Sequence, residues 1–258
     1  YEEALDNYIE GGNNRVILGT DGDFNVGVTS TEALMEMVQD FASKGVYLTI
    51  CGFGSGNLND SMLETVSNNG NGTYEYIDSE DEMTKVFVNE RSKFYSVAND
   101  TKVQVTFDST KVYSYRLIGY ENRALSEDDF ENDDKDAGEI GAGQTVTALY
   151  EIVPAEGFSE GGALAVFDVR YKKALGEESI PLSMEVMYED TLDEVPTELD
   201  FAAGVAAYGM ILRDSKYKGT ATYEMAFDLV GTGLGYDPYG YRLQLQTMIA
   251  AAQDIKVK

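Results

Sequence analysis

The sequence predicts an α/β protein: a parallel sheet with flanking helices, then an antiparallel β-sandwich, then a helical C-terminal segment. Three observations carry this reading. Up to residue 98, short apolar runs alternate with stretches whose apolar residues recur every three or four positions, which marks strands and helices in turn. From Asn99 the period drops to two, as in half-buried antiparallel strands. After Pro196 the helical period returns in Ala-rich, Tyr-studded stretches. The expected segments are therefore 1–98, 99–195 and 196–258.

In chain order, Glu2 to Ile9 reads as the end of a helix and Arg15 to Thr20 as a buried strand, since its apolar residues are nearly continuous. Thr29-Ser-Thr-Glu32 has the spacing of a capping box. The helix it opens, Glu32 to Lys44, has Leu34, Met37, Val38 and Phe41 on one face and stops at Gly45. Val46 to Cys51 is a second strand, Asp60 to Ser67 a helix and Thr73 to Ile77 a third strand. A helix from Glu80 to Phe94, with Ser79 as cap, completes an αβαβαβα order, which implies right-handed crossovers and one parallel sheet. Residues 101–107, 111–119, 145–153, 163–172 and 182–188 alternate apolar and polar positions as strands of a sandwich do. Between them, Ser126-Glu-Asp-Asp-Phe-Glu-Asn-Asp-Asp-Lys-Asp136 lacks calcium-loop spacing and reads as a solvated acidic loop. Leu199 to Arg213, Tyr223 to Val230 and Tyr239 to Ile255 are helices.

Composition removes whole classes of function. The formal net charge of -27 opposes nucleic acid and anionic lipid and favours cations or cationic partners. With no histidine, a Ser-His-Asp or Cys-His centre is excluded, as is zinc or copper held by imidazole. Oxygen ligation of magnesium, manganese or calcium remains. Cys51, the single cysteine, lies in an apolar run and reads as a small buried hydrophobe. The longest apolar tract, Phe201 to Leu212, falls short of the roughly 20 residues a membrane-spanning helix needs. The chain begins at Tyr1 with no leader before it, so trimming of an upstream segment is expected.

The segment Arg15-Val-Ile-Leu-Gly-Thr-Asp-Gly-Asp-Phe-Asn-Val-Gly27 carries the candidate site. An apolar strand ends there in hard oxygen donors, Asp21, Asp23 and Asn25, with Gly22 and Gly27 allowing a sharp turn. In open α/β sheets ligands gather where strands end. Asp21 is the primary metal-ligand candidate, with Asp23 and Asn25 in supporting positions. Gly52, Gly54 and Gly56 follow the next strand and rim the same end.

Asn14 to Ser30, together with Gly52-Phe-Gly-Ser-Gly-Asn-Leu-Asn-Asp60 and Gly70-Asn-Gly-Thr-Tyr-Glu-Tyr-Ile-Asp78, resembles the second half of a von Willebrand factor type A domain, a Rossmann-like α/β fold. Tyr115 to Leu125, Asp136 to Ile152 and Phe201 to Gly209 resemble the bacterial YfbK-like branch of that family. The family's metal-ion-dependent adhesion site joins an Asp-x-Ser-x-Ser loop, a threonine on a second loop and the aspartate of a Thr-Asp-Gly turn. Only the last is present, as Asp21 in Thr20-Asp-Gly22, so the resemblance implies an N-terminal half upstream of Tyr1.

The resemblance also implies a non-enzymatic protein-binding or adhesion module that takes Mg (or Mn or Ca) in the complete domain and holds it weakly in this chain alone. Its ligand would be a protein that offers a carboxylate to the metal, and its setting extracytoplasmic, periplasmic or cell-surface, with a lipid anchor in the missing N-terminus. A half sheet needs the missing segment or another chain to cover its open edge. Two other readings exist for the acidic loop. Asp21 and Asp23 after a strand resemble an aspartate-nucleophile phosphatase, although Asn25 departs from that pattern. Asp21, Asp23, Asn25 and Glu32 also fall at EF-hand positions over 21–32, but Val26 stands where that loop needs glycine.

Overall fold

The computed structural model describes residues 1–22, 30–54, 58–121, 123–158, 161–174, 176–188 and 194–256. The chain divides into two compact units, each built from three segments: 1–104, 125–145 and 168–183 in the first, and 105–124, 146–167 and 184–258 in the second.

The first unit opens with helix α1 (Glu2–Asp6), then alternates β1 (Asn14–Thr20), α2 (Thr31–Ser43), β2 (Val46–Phe53), α3 (Asp60–Asn69) and β3 (Tyr74–Ile77). The three strands form one parallel sheet in the order β1-β2-β3, with Thr20 opposite Gly52 and Phe53 opposite Ile77. The expected three-stranded parallel sheet is thus present. Alternate residues of β2 divide two cores between its faces. Leu48 and Ile50 pack with Leu34, Val38, Leu63 and Val66 under α2 and α3, while Cys51 joins Ile77 and Val86 on the other side. On β1, Val16 and Leu18 join the first core, and Ile17 points the other way and stays 48% exposed. The cap of α2 is Ser30, whose hydroxyl accepts from Ala33 N at 3.2 Å. The helix thus starts at Thr31 with Ser30 as its cap, and with Ala33 at the third helical position there is no reciprocal box; Thr29 lies outside the described residues.

The helix expected over 80–94 is broken into three conformations. α4 (Glu80–Thr84) is α-helical and capped by Ser79, 85–89 form a π turn closed by Glu90 N to Lys85 O at 2.8 Å, and Arg91–Phe94 tighten to a 3-10 turn. Packing decides this: Val86 is fully buried with Cys51, and Phe87 and Phe94 lie beside them. A uniform helical periodicity could not reveal that break.

Strand β4 (Ser96–Phe107) follows, then β5 (Val112–Ile118), the short helix α5 (Glu127–Phe130), β6 (Gly138–Gly141), β7 (Leu149–Pro154), β8 (Ala163–Lys172) and β9 (Ile180–Met187). They form a four-stranded sheet in the order β6-β4-β8-β9 and a two-stranded antiparallel sheet of β5 and β7. The acidic insertion is mostly exposed, as expected of a solvated loop, but it is anchored at a few points. Phe130 is buried, the carboxylate of Asp133 accepts from Ser179 Oγ at 2.6 Å, and Lys102 donates to the carbonyl of Asn132. Of its carboxylates, Asp133 meets both a cation and a hydroxyl, Arg170 at 3.2 Å and Ser179, which composition alone did not show.

In the second unit, α6 (Thr197–Leu212), α7 (Tyr223–Thr232) and α8 (Tyr241–Lys256) enclose Ala207, Ala226, Val230 and Ile249. Gly204 of α6 permits the close approach to α7, since a Cβ there would meet the Val230 amide at 2.9 Å. Phe107, Tyr115 and Tyr150 form an aromatic cluster, with Phe107 and Tyr115 ring centres 4.7 Å apart. No described helix is long and apolar enough to cross a membrane.

Candidate functional site

The carboxyl end of the parallel sheet presents Asp21 to solvent directly after β1. The turn that places it there is local: the Thr20 hydroxyl donates to the Gly22 carbonyl at 3.1 Å, fixing the chain on either side of Asp21. Gly54 ends the neighbouring strand at φ 95, a left-handed conformation that favours glycine, and its carbonyl accepts from Tyr76 Oη at 3.1 Å. Gly52 allows Tyr74 and Leu58 to close over the strand end, since a Cβ would meet Tyr74 Oη at 2.7 Å. Tyr74 in turn donates to Asp60 at the start of α3, and burial together with that carboxylate pushes its hydroxyl far above the ordinary tyrosine range. Asp23 and Asn25 lie outside the described residues, as does Gly56.

Among the described residues, no three acidic groups gather around Asp21. It supplies one hard oxygen ligand at an open rim, and magnesium needs near-octahedral oxygen coordination. The described residues therefore do not complete a metal site there.

Sequence reasoning missed a second constellation, in the first unit. Asp100 of β4, Asp136 before β6 and Glu139 of β6 bring carboxylate oxygens within 4.8 Å of one another. Asp100 sits at φ 47 in a stretch where the β4–β6 register shifts, so a bulge turns its side chain into the group. Lys172 of β8 donates to Asp100 Oδ2 at 2.6 Å and to the Asp133 carbonyl at 2.8 Å. Arg15 of β1 reaches the same region, with Nη1 on Thr49 Oγ1 at 2.8 Å and its guanidinium over the Tyr47 ring.

Burial dominates the electrostatics of this cluster. It pushes the Glu139 carboxyl up to about 8, helped by the charges of Asp136 and Asp100. The Asp136 carboxyl rises to about 6 through desolvation and the neighbouring charge of Asp100, even though the residue as a whole is exposed. Burial also lowers Arg15 and Lys102 from their ordinary values, and pushes Tyr47 up to about 12. Three carboxylates at this spacing invite a divalent ion, but lysine ammonium groups already occupy the region. The arrangement is an internal charge network.

The family model for the C-terminal region of the uncharacterized protein YfbK matches residues 92–161 and 158–255. The uncharacterized protein YfbK of Escherichia coli (strain K12) is 35% identical over 273 residues, which cover 99% of this chain and 47% of that protein. This chain thus spans about half the length of that relative. Among solved structures, a von Willebrand factor type A protein from Catenulispora acidiphila aligns at a TM-score of 0.42 with 14% identity, over 85% of this chain and 55% of that one. The human COPII-coat protein Sec24c aligns at 0.44 with 12% identity, over 84% and 32%. Two of the stretches that suggested the YfbK-like branch, 115–125 and 136–152, lie inside the first matched segment and the third, 201–209, inside the second. A family model that covers more than half of the sequence, and a relative aligned along nearly all of it, establish that this chain belongs to the YfbK family.

Proposed function

We propose that the chain is part of a von Willebrand factor A-type protein-binding module, non-enzymatic and extracytoplasmic, in which Asp21 is one ligand of a divalent cation, magnesium before manganese or calcium. One observation carries the reading: a solvent-facing carboxylate immediately follows a parallel strand, at the end of the sheet where α/β folds collect ligands. The remaining ligands come from elements beyond the described residues, and a partner protein contributes a carboxylate at an open coordination position. The edge of β1 opposite β2 has no strand beside it among the described residues, which supports completion of the sheet by a further segment or chain. An adhesive role at the cell surface, held there by a lipid anchor, belongs to the same proposal.

The EF-hand reading is the weaker one, because the residue before Asp21 ends a strand rather than a helix. The experiment is calorimetric titration of Mg²⁺ into a parent protein of the relative's length and into its Asp21→Ala variant. Affinity lost in the variant supports the assignment. Equal affinity in both would remove Asp21 from the site.

A further inference from the structure

Strand β6 is short, pairs with β4 through an irregular register, and is pressed against the 3-10 turn that precedes β4. A Cβ on Gly141 would overlap the Lys93 carbonyl, and Ala142 N donates to Tyr95 O at 2.8 Å. Its central side chain is Glu139. Among the described residues, Glu139 Oε1 is closed off from solvent and has no hydrogen-bond partner. An ionised carboxylate in that position would carry a large desolvation penalty.

The neighbouring lysines are committed elsewhere, and the charge of Arg15 offsets the burial of Glu139 only in part. Lys172 is committed to Asp100 and to the Asp133 carbonyl. Lys102 donates to the Asn132 carbonyl, and Arg15 donates to Thr49 while its Nε remains without a partner. Facing Glu139 are Arg15 from β1, Asp100 from β4 and Asp136 from the segment before β6, with Tyr47 of β2 beside Arg15. Carboxylate oxygens of Asp100, Asp136 and Glu139 lie within 4.8 Å of one another, and like charges that close oppose ionisation of all three, which favours a retained proton. The cluster is built to hold protons.

We propose that Glu139 is a proton-operated latch: protonated, it closes β6 onto β4, and on losing its proton it releases that edge. The direction of the pH effect follows from linkage. The folded chain keeps a proton on Glu139 up to about 8, whereas the unfolded chain gives it up near the ordinary 4.5. The stabilisation is complete below that ordinary value and is lost as pH rises through about 8. Asp136 acts in the same sense at lower pH, between the ordinary 3.8 and about 6. Alkaline conditions thus loosen β6, while the β1-β2-β3 sheet stays intact.

The test compares this chain with its Glu139→Gln variant, which keeps the shape and cannot ionise. Amide exchange at Ile140 and Gly141, corrected for base catalysis and referenced to β2, should accelerate by up to about tenfold per pH unit between the ordinary 4.5 and about 8 in the wild type, level off above that, and show no such rise in the variant. Equal profiles in the two proteins would overturn the latch. Should the variant fail to fold, carbon-13 titration of the Glu139 carboxyl in the wild type decides: a midpoint near 8 is expected, and one in the ordinary glutamate range refutes the proposal.

Discussion

Lys172 Nζ lies 2.6 Å from Asp100 Oδ2, and each of the two side chains is only 9% exposed. A pair so removed from water is held by mutual compensation, so removing one member strands the other. Asp100→Asn preserves the left-handed backbone, which asparagine tolerates, and should cost roughly 3–5 kcal/mol in urea unfolding. Lys172→Met should cost a similar amount, and the double variant less than the sum of the two. Additive losses would show that the two charges act independently.

Two glycines make opposite predictions. At Gly72 a Cβ would lie 1.5 Å from the Leu48 carbonyl oxygen, a backbone atom already fixed within the sheet. Gly72→Ala should therefore destabilise by about 3 kcal/mol, near the top of the usual range for overpacking. Gly209, inside α6, has nothing within 4 Å of the same virtual atom. Gly209→Ala should raise stability by about 0.5–1 kcal/mol through the lower entropy of the unfolded chain. Thermal melts of the two variants should move in opposite directions.

Acid should act through Asp133. Hydrogen bonds from Ser179, hydroxyl first, hold its carboxyl below the ordinary aspartate value. The stability this contributes is present above the ordinary 3.8 and lost as pH falls through the depressed value. Ser179→Ala should flatten that part of the acid-unfolding curve, and a variant whose curve parallels the wild type would contradict the assignment.

Asp21→Ala should leave folding untouched, within about 0.5 kcal/mol, because the side chain is exposed and sits at a strand end. Chemical denaturation of this chain checks that, and the magnesium titration of the parent then reads function alone. A large loss of stability would assign Asp21 a structural role instead.

What was legible in the sequence is what local periodicity encodes. The apolar runs at Arg15–Thr20, Val46–Cys51 and Thr73–Ile77, separated by amphipathic helices, determine one parallel sheet with little ambiguity, and Cys51 is buried as its surroundings imply. Asp21 was visible for the same reason, since one strand and one turn suffice to place it. The Asp100–Asp136–Glu139 cluster was not visible. Its members come from separate places, a bulge in β4, the end of an acidic insertion and the four-residue strand β6, and Lys172 arrives from β8. No spacing along the chain relates them, and only the sheet order β6-β4-β8 brings them together.

The π turn at 85–89 gives the segment before β4 an unusual relation to its own length. It takes one residue more per turn than an α-helix, and Val88 on its outer side is 55% exposed. Deleting Val88 would remove a side chain that is more than half exposed, yet it would rotate every following side chain by about 100° around the helix axis. Lys93 would swing away from Glu75, which it meets at 2.8 Å, and Phe94 away from Phe87. Residue count is therefore constrained here more tightly than residue identity: polar substitutions at Val88 are tolerable, while a one-residue frame change shifts the register of everything that β4 inherits.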